Sequence, residues 1–298
     1  MTHVPIPFAE GVDLHAHTTA SDGSLTPTEL VQAATALGLR AIAVTDHDTV
    51  GGIAEAQQAA ESAGIEFLPG VELSTEDADG RFHMLGYGFD TANPLLSETL
   101  EELRRRRAAR NARIMEQVRA LGLPLEWDDV LAQVKEGGEV VGRPHIAAAM
   151  VKRGIVGSTQ EAFDTWLATG QPLYFPKGGL TAADAIDLLH RAGGAAVMAH
   201  PGLSKWADPQ ALAPYLEKLK AVGLDGLEVY YSQHDSAQIE AYAAIAQRLN
   251  LIATGGSDFH GDPKPHVPLG IAAWGGAAPY GCLEGVRRAA QVRSSGTA

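Results

Sequence analysis

The chain has 298 residues, 45% hydrophobic and 20% charged, enough for a sizeable buried core and long for one compact domain; it suits an α/β barrel of about 250 residues carrying an insertion. A formal charge of −13 argues against a broad non-specific nucleic-acid surface, but leaves room for a small polyanion bound beside divalent ions that reverse the local sign. Cys282 is the single cysteine, which excludes an intrachain disulfide and a Cys-rich metal cage, and with no leader-type N-terminus and no apolar run of about 18 residues the expectation is a cytoplasmic protein without membrane segment or obligate protein partner.

The first third alternates strands and helices. From Val12 to His17 the pattern has period two, with Val12, Leu14 and Ala16 on one face and Asp13, His15 and His17 on the other, so both imidazoles share a strand face near its end. Ser21-Asp22-Gly23 then turns the chain, and Thr26-Pro27-Thr28-Glu29 supplies a cap, an N1 proline and a capping-box glutamate for a helix ending near Gly38. Leu39 to Thr45 reads as a buried strand closing on Asp46-His47-Asp48, a helix covers roughly 51–63, and Ile65 to Glu72 and Arg81 to Tyr87 read as two more strands, the second containing His83.

From about 95 to 170 the pattern is helical, with an Arg-rich stretch at 104–113 and further helices around 145–153 and 158–168. Alternation then resumes: a helix after Thr181, a strand at 195–199 closing on His200-Pro201, a helix after Asp208-Pro209, a strand at 224–230, a helix at about 235–249, and a strand at 251–254 leading through Gly-Gly-Ser to Asp258-Phe-His260. The last dozen residues read as a frayed tail. The expected architecture is α/β: a barrel in two parts, 1–98 and 174–298, interrupted by an all-helical domain at 99–173.

Six ligand-type clusters thus fall at the ends of different predicted strands, and in a parallel barrel such ends converge on one face, where active sites sit. The donors are nitrogen and oxygen with no thiolate, which points to divalent ions doing hydrolytic work. Plainer readings stand beside some of them. Asp22 also fits an Asx turn before glycine, Asp48 a helix N-cap, Glu72 a surface glutamate, and His83 a hydrogen-bonded core histidine.

The series H-A-H-T-T-A-S-D-G from His15, T-D-H-D from Thr45, G-V-E ending at Glu72, the isolated His83, A-H-P around His200 and G-S-D-F-H ending at His260 resembles the PHP (polymerase and histidinol phosphatase) family. With the helical insertion and Gly142-Arg143-Pro144-His145, it resembles most the branch of nucleoside 3′,5′-bisphosphate phosphatases and 5′–3′ oligoribonucleases. The resemblance implies a distorted (β/α)7 TIM-like barrel, the PHP fold, and two to three divalent ions, manganese foremost, with zinc and iron as alternatives. It implies a first ion on His15, His17, Glu72 and Asp258, a second on Glu72, His83 and His200, and a third on Asp22, His47 and His260. Asp22 stands where histidinol phosphatases tend to carry histidine. Catalysis is then expected from Glu72, Asp258 and His260 acting through the ions, with a bridging hydroxide attacking phosphorus. Asp13 and Asp46 are expected to orient ligand imidazoles.

Arg143, Lys177 and His234 lie in segments expected to border the mouth and are candidates for binding a second phosphate, with an ordinary surface role as the plainer reading. His145 equally fits a packed helix residue. Arg106, Arg110 and Arg113 are expected to share a helix face, either solvated beside Glu101 and Glu102 or gripping a phosphate or RNA backbone. The expected reaction removes the 3′-phosphate of a nucleoside 3′,5′-bisphosphate, leaving a 5′-nucleotide. Trimming of short RNA from the 5′ end is a close variant, because a 5′-terminal unit presents a 5′-phosphate beside a 3′-phosphodiester. The alternatives are histidinol phosphate hydrolysis and a non-catalytic PHP module, which missing ligands would mark; none is missing here.

Overall fold

The computed structural model describes residues 5–78, 80–203 and 208–296. In chain order the main elements are β1 (Gly11–Asp13), α1 (Pro27–Leu37), β2 (Ala41–Val44), α2 (Ile53–Ala63), β3 (Glu66–Asp77), β4 (Gly80–Tyr87), α3 (Pro94–Ala120), α4 (Trp127–Leu131), α5 (Arg143–Lys152), α6 (Thr159–Ala162), α7 (Ala182–Arg191), β5 (Ala195–Met198), α8 (Pro209–Ala221), β6 (Gly226–Tyr231), α9 (Ser236–Arg248), β7 (Ile252–Gly256), β8 (Ala278–Pro279) and α10 (Gly281–Gly296). The start of α1 forms as its sequence dictates: Thr26 accepts from the Glu29 amide at 3.2 Å, Glu29 accepts from the Thr26 amide at 2.8 Å, and Gly38 closes the helix at φ 78°.

The strands form one sheet in the order β7-β6-β5-β4-β3-β2-β1-β8. Its ends meet: the Leu14 amide donates to the Gly255 carbonyl at 3.2 Å, the Asp258 amide donates to the His15 carbonyl at 2.7 Å, and Ala16 bridges Phe259 in parallel. The sheet is therefore a nearly closed, barrel-like wall with helices outside it. Val12 of β1 and Leu14 just after it, Ala43 of β2, Leu85 of β4 and Val197 of β5 pack into one buried cluster, which Leu283 and Val286 of α10 join. Between β4 and β5, helices α3, α5 and α6 bury a cluster of their own that includes Ile114, Val118, Ile146, Met150 and Leu167. No helix among the described residues is long and apolar enough to cross a membrane.

Three expectations are corrected. First, β4 runs antiparallel to both β3 and β5, in a long hairpin that pairs Ser74 with His83. His83 therefore reaches the mouth from within a reversed strand and not from a downstream end; a run of alternating residues carries no information on strand direction. Second, the sheet has an eighth strand, the two-residue β8, antiparallel to β1 and too short to show a period. Third, the expected tail is helical through Gly296, because Leu283, Val286 and Ala290 recur at i, i+3 and i+7 and are buried.

Asp225, ahead of β6, ties three elements together. Its carboxylate meets His190 of α7 at 2.8 Å, accepts from the Ala196 amide of β5 at 2.9 Å and meets Arg293 of α10 at 3.1 Å. Burial works to raise its pKa, but the His190 hydrogen bond and its other partners hold it below the ordinary aspartate value. A depressed folded-state pKa stabilises the fold above the unfolded value of about 3.9 and loses that contribution as pH falls through the folded value. Asp225→Ala is expected to cost about 2 kcal/mol in urea denaturation at neutral pH, with the gap from the parent protein closing progressively below about pH 4.

Candidate metal centre and substrate cavity

Register brings the predicted residues together. In β3 the Glu72 amide donates to the Asp46 carbonyl at 3.2 Å while the Asp48 amide donates to the Glu72 carbonyl at 3.0 Å, which seats His47 beside Glu72. The Glu72 carboxylate is fully buried and faces five imidazoles: His83 at 2.7 Å, His47 at 2.8 Å, His200 at 2.9 Å, His17 at 3.2 Å and His15 at 3.5 Å. Asp258 Oδ1 approaches His17 at 3.2 Å and His15 at 3.5 Å, and Asp22 lies 3.5 Å from His260 and 3.9 Å from His47. All nine residues named from the sequence line one continuous cluster. Its backbone is held in uncommon conformations, with φ of 59° at Asp258 and 24° at His200. Gly256 is required at its position, since a Cβ there would meet the His15 amide at 2.3 Å.

The cluster fits divalent cations on its own geometry. His15 Nε2, both ring nitrogens of His17, His47 Nδ1 and Glu72 Oε2 are buried without a hydrogen-bond partner, although donor-type and acceptor-type atoms crowd within a few ångströms. Such orphaned atoms are costly unless something of opposite charge lies between them. Four overlapping groups, His17/Asp22/His47/His260, His15/His17/Asp258, His15/Glu72/His200 and His47/Glu72/His83, each converge within 4.8 Å. Burial works to raise the carboxylates' pKa values, yet His47, His83 and His15 hold Glu72 well below the usual range, His47 and His260 do the same for Asp22, and Lys264 and His260 for Asp258. All three remain anionic, as cation binding needs.

The groups behind this cluster differ from expectation. Glu228 of β6, fully buried and unremarked in the sequence, meets His15 Nδ1 at 2.9 Å and accepts from the His200 amide at 2.6 Å. Asp13 and Asp46 have no imidazole hydrogen-bond partner among the described residues: Asp13 accepts from the His15 amide at 3.2 Å, from Ser257 and from the Gly270 amide, and Asp46 from Thr18 and Ser21. Asp258 Oδ2 accepts from Tyr231 at 2.9 Å and from Lys264 at 2.8 Å, which leaves Oδ1 facing the histidines. Only strand order places Glu228 beside His15, 213 residues away, so no local pattern reveals it.

Above the cluster opens a cavity of about 410 Å³. His47, His83, His200 and His260 form part of one wall, and Arg81, Arg107, Arg110, Arg143 and Lys177 stand among the rest, with Phe163 and Tyr174. Arg143 and Lys177 thus border the cavity as expected. His234 does not: its ring accepts from the Gly202 amide at 3.1 Å, meets the Val229 carbonyl at 3.0 Å and packs against Tyr231 and Tyr242. Proximity to a strand end placed it correctly in sequence, but its side chain turns into the wall.

The arginine run is also reassigned. Arg106 pairs with Glu102 at 2.9 Å in solvent and Arg113 lies over Phe175, whereas Arg107 and Arg110 fall on the buried stripe of α3 with Leu103 and Ile114 and face the cavity. Asp48 does not cap α2, whose N-cap is Gly52; at φ 54° it turns inward, accepting from Ser74, Arg107 at 2.5 Å and Lys177 at 2.6 Å. Burial and the adjacent Arg107 bring the Lys177 ammonium down to about 7, and burial with Arg107 and Arg143 brings Arg110 down to about 9. His145 packs at the start of α5, where Nδ1 accepts from the Gly142 amide at 3.0 Å.

The fold and this cluster are those of a metal-dependent phosphoesterase, and the chain belongs to the PHP family: the PHP domain model matches residues 13–141. Among characterised proteins it is 37% identical to the 5′-3′ exoribonuclease Rnm of Escherichia coli, covering 90% of each chain. It is 35% identical to the 3′,5′-nucleoside bisphosphate phosphatase of Chromobacterium violaceum, covering 84% of this chain and 87% of that one. A crystal structure of a metal-dependent phosphoesterase from Bifidobacterium adolescentis superimposes with a TM-score of 0.85 at 37% identity, covering 96% of this chain and 98% of the other.

Because Glu228 fixes the His15 ring from behind, Glu228→Gln is expected to weaken divalent-cation affinity about 10- to 100-fold. Competition with a metal-sensing dye measures this, with circular dichroism confirming the fold.

Proposed function

We propose that this protein hydrolyses the 3′-phosphate of nucleoside 3′,5′-bisphosphates, and the first 3′-phosphodiester of 5′-phosphorylated short RNA, in the cavity above Glu72. The carrying observation is Arg110. Its side chain is 4% exposed, its Nε has no hydrogen-bond partner, and no ion pair engages it among the described residues. A buried guanidinium without a counter-ion is unfavourable by several kcal/mol in order of magnitude, so the site is shaped for an anion that arrives with the ligand. With Arg107, Arg143 and Lys177 it offers fork-shaped and point-like donors suited to a phosphate. The cluster around Glu72 takes a second phosphoryl group, so the ligand carries two.

In this reading His15, His17, Glu72 and Asp258 hold one ion, Glu72, His83 and His200 a second, and Asp22, His47 and His260 a third; manganese is the first candidate, with zinc and iron as alternatives, since mixed nitrogen and oxygen donors suit all three. Bound there, divalent ions supply positive charge to the phosphoryl oxygens and acidify water near neutral pH. The protein's own groups do the positioning. Glu72 presents its donor atoms from β3, and Asp258 and His260 theirs from the single turn after β7, where Asp258 is held at φ 59°. Asp48 fixes Lys177 and Arg107 against the cavity wall, so the 5′-phosphate meets charges already in place. Phe163 and Tyr174 offer apolar faces for the nucleoside. On the proposed division at 98/99 and 173/174, the described residues before and after those bounds form the barrel, and 99–173 a helical cap that supplies Arg107, Arg110 and Arg143.

The cationic wall disfavours histidinol phosphate, which brings a positive amine and no second phosphate. A complete ligand set weighs against a non-catalytic module. Phosphate release from adenosine 3′,5′-bisphosphate with added Mn2+ tests the proposal. Arg110→Ala is expected to raise KM for that substrate about 10- to 100-fold while leaving KM for p-nitrophenyl phosphate nearly unchanged. If the parent protein releases neither phosphate from the bisphosphate nor mononucleotide from a 5′-phosphorylated RNA, the proposed activity is wrong.

A further inference from the structure

A second concavity, of about 440 Å³, runs along the adjacent flank of α3. Arg104, Arg107, Asn111, Met115 and Arg119 line it from one helix, spaced three or four residues apart, and Trp127 at the start of α4 faces them. Arg107 lines this groove and the catalytic cavity alike. Its guanidinium also stands near the metal cluster: a Cβ placed on Gly142 would lie 3.7 Å from Arg107 Nη1 and 3.7 Å from Asp22 Oδ2. The two spaces therefore adjoin at one residue, beside the Asp22 edge of the centre.

Two buried polar atoms in the groove lack partners. Asn111 is 2% exposed and donates from Nδ2 to the Val141 carbonyl at 2.9 Å, but its Oδ1 accepts nothing; Arg107 Nε is likewise unpaired. Buried amide oxygens are normally satisfied, so a donor from outside the chain fits here, such as a ribose hydroxyl or a base amine. Glu139 is the one carboxylate among the lining residues, and Thr49 donates to it at 2.5 Å. A strip of arginines with an apolar floor and one half-buried aromatic ring, that of Trp127, on a chain of net charge −13, combines the two features that bind single-stranded nucleic acid: charges that track phosphates and a ring that stacks on bases. From Arg107 to Arg119 the helix rises about 18 Å, room for several nucleotides stacked at about 3.4 Å each.

We propose that this groove binds the nucleotides downstream of the scissile phosphate in single-stranded RNA whose 5′-terminal unit occupies the catalytic cavity. The assignment rests on the cavity reading above and adds the site that separates an oligomer from a mononucleotide. Trp127 and Arg119 lie outside the catalytic cavity, so their variants leave bisphosphate hydrolysis intact. Trp127→Ala is expected to raise KM for a 5′-phosphorylated oligoribonucleotide about tenfold, and Arg119→Glu to raise it further at low salt, with kcat/KM for adenosine 3′,5′-bisphosphate unchanged in both.

Fluorescence anisotropy with a labelled oligoribonucleotide and the protein in chelator gives a readout independent of turnover. There the same variants are expected to weaken binding about tenfold. Unchanged oligomer KM and unchanged anisotropy in both variants overturn the groove assignment, while bisphosphate hydrolysis by the parent protein leaves the cavity reading standing. Absence of all hydrolysis with normal, variant-sensitive RNA binding has the opposite meaning: the groove stands and the proposed reaction fails.

Discussion

The Glu72 carboxylate is the constraint on which the rest of the structure depends. It is fully buried, and five imidazoles from four separate parts of the chain converge on it between 2.7 and 3.5 Å. A charge in that position is tolerable only where opposite charge and directed donors surround it. Meeting that requirement fixes which strands are neighbours: β1 brings His15 and His17, β2 brings His47, the reversed β4 brings His83 and β5 brings His200. A flat sheet of this order would leave β1 and β7 far apart. Closure through Leu14, Ala16 and Asp258 brings Asp258 and His260 across the seam to complete the ring of donors.

Much of this was legible in the sequence because metal ligands on a barrel obey two strong regularities. They are restricted to a few residue types, and they sit where strands end. The His15/His17 alternation, the Asp46-His47-Asp48 run after a buried strand and the Gly-rich approach to Asp258 each carried that signature locally. Capping at Thr26 and Gly38 and the buried runs at 41–44 and 195–198 were local as well, so those elements appeared close to where they were expected.

What escaped was set by tertiary contact. The direction of β4 depends on its pairing with β3 and β5, and the place of Glu228 behind His15 depends on β6 lying beside β7, the strand that closes on β1. Neither leaves a trace within a window of a dozen residues. His234 shows the converse: its position in sequence was a good guide to its position in space, and a poor one to the direction of its ring. Among the arginines, Arg110 of the expected face does turn to the cavity, but its buried companion is Arg107 in place of Arg106. One residue on a helix is about 100°, enough to exchange a solvated side chain for a buried one.

The two charged walls of the cavity explain why helices stand between the barrel halves. A barrel mouth alone supplies the anionic cluster that attracts cations. It has little room for uncompensated guanidinium groups, because carboxylates at the strand ends would neutralise them; Asp258 already takes Lys264 in this way. Carrying Arg107 and Arg110 on α3 and Arg143 on α5 brings them to the cavity from outside the barrel, with Arg107 reaching the Asp22 edge of the cluster. Among the described residues Asp48 anchors Arg107 and Lys177, and Glu76 pairs with Arg81, while no carboxylate forms an ion pair with Arg110. This arrangement gives the cavity imidazole and carboxylate donors on one side and guanidinium groups on another, and under the proposed function a ligand with two phosphoryl groups would engage both.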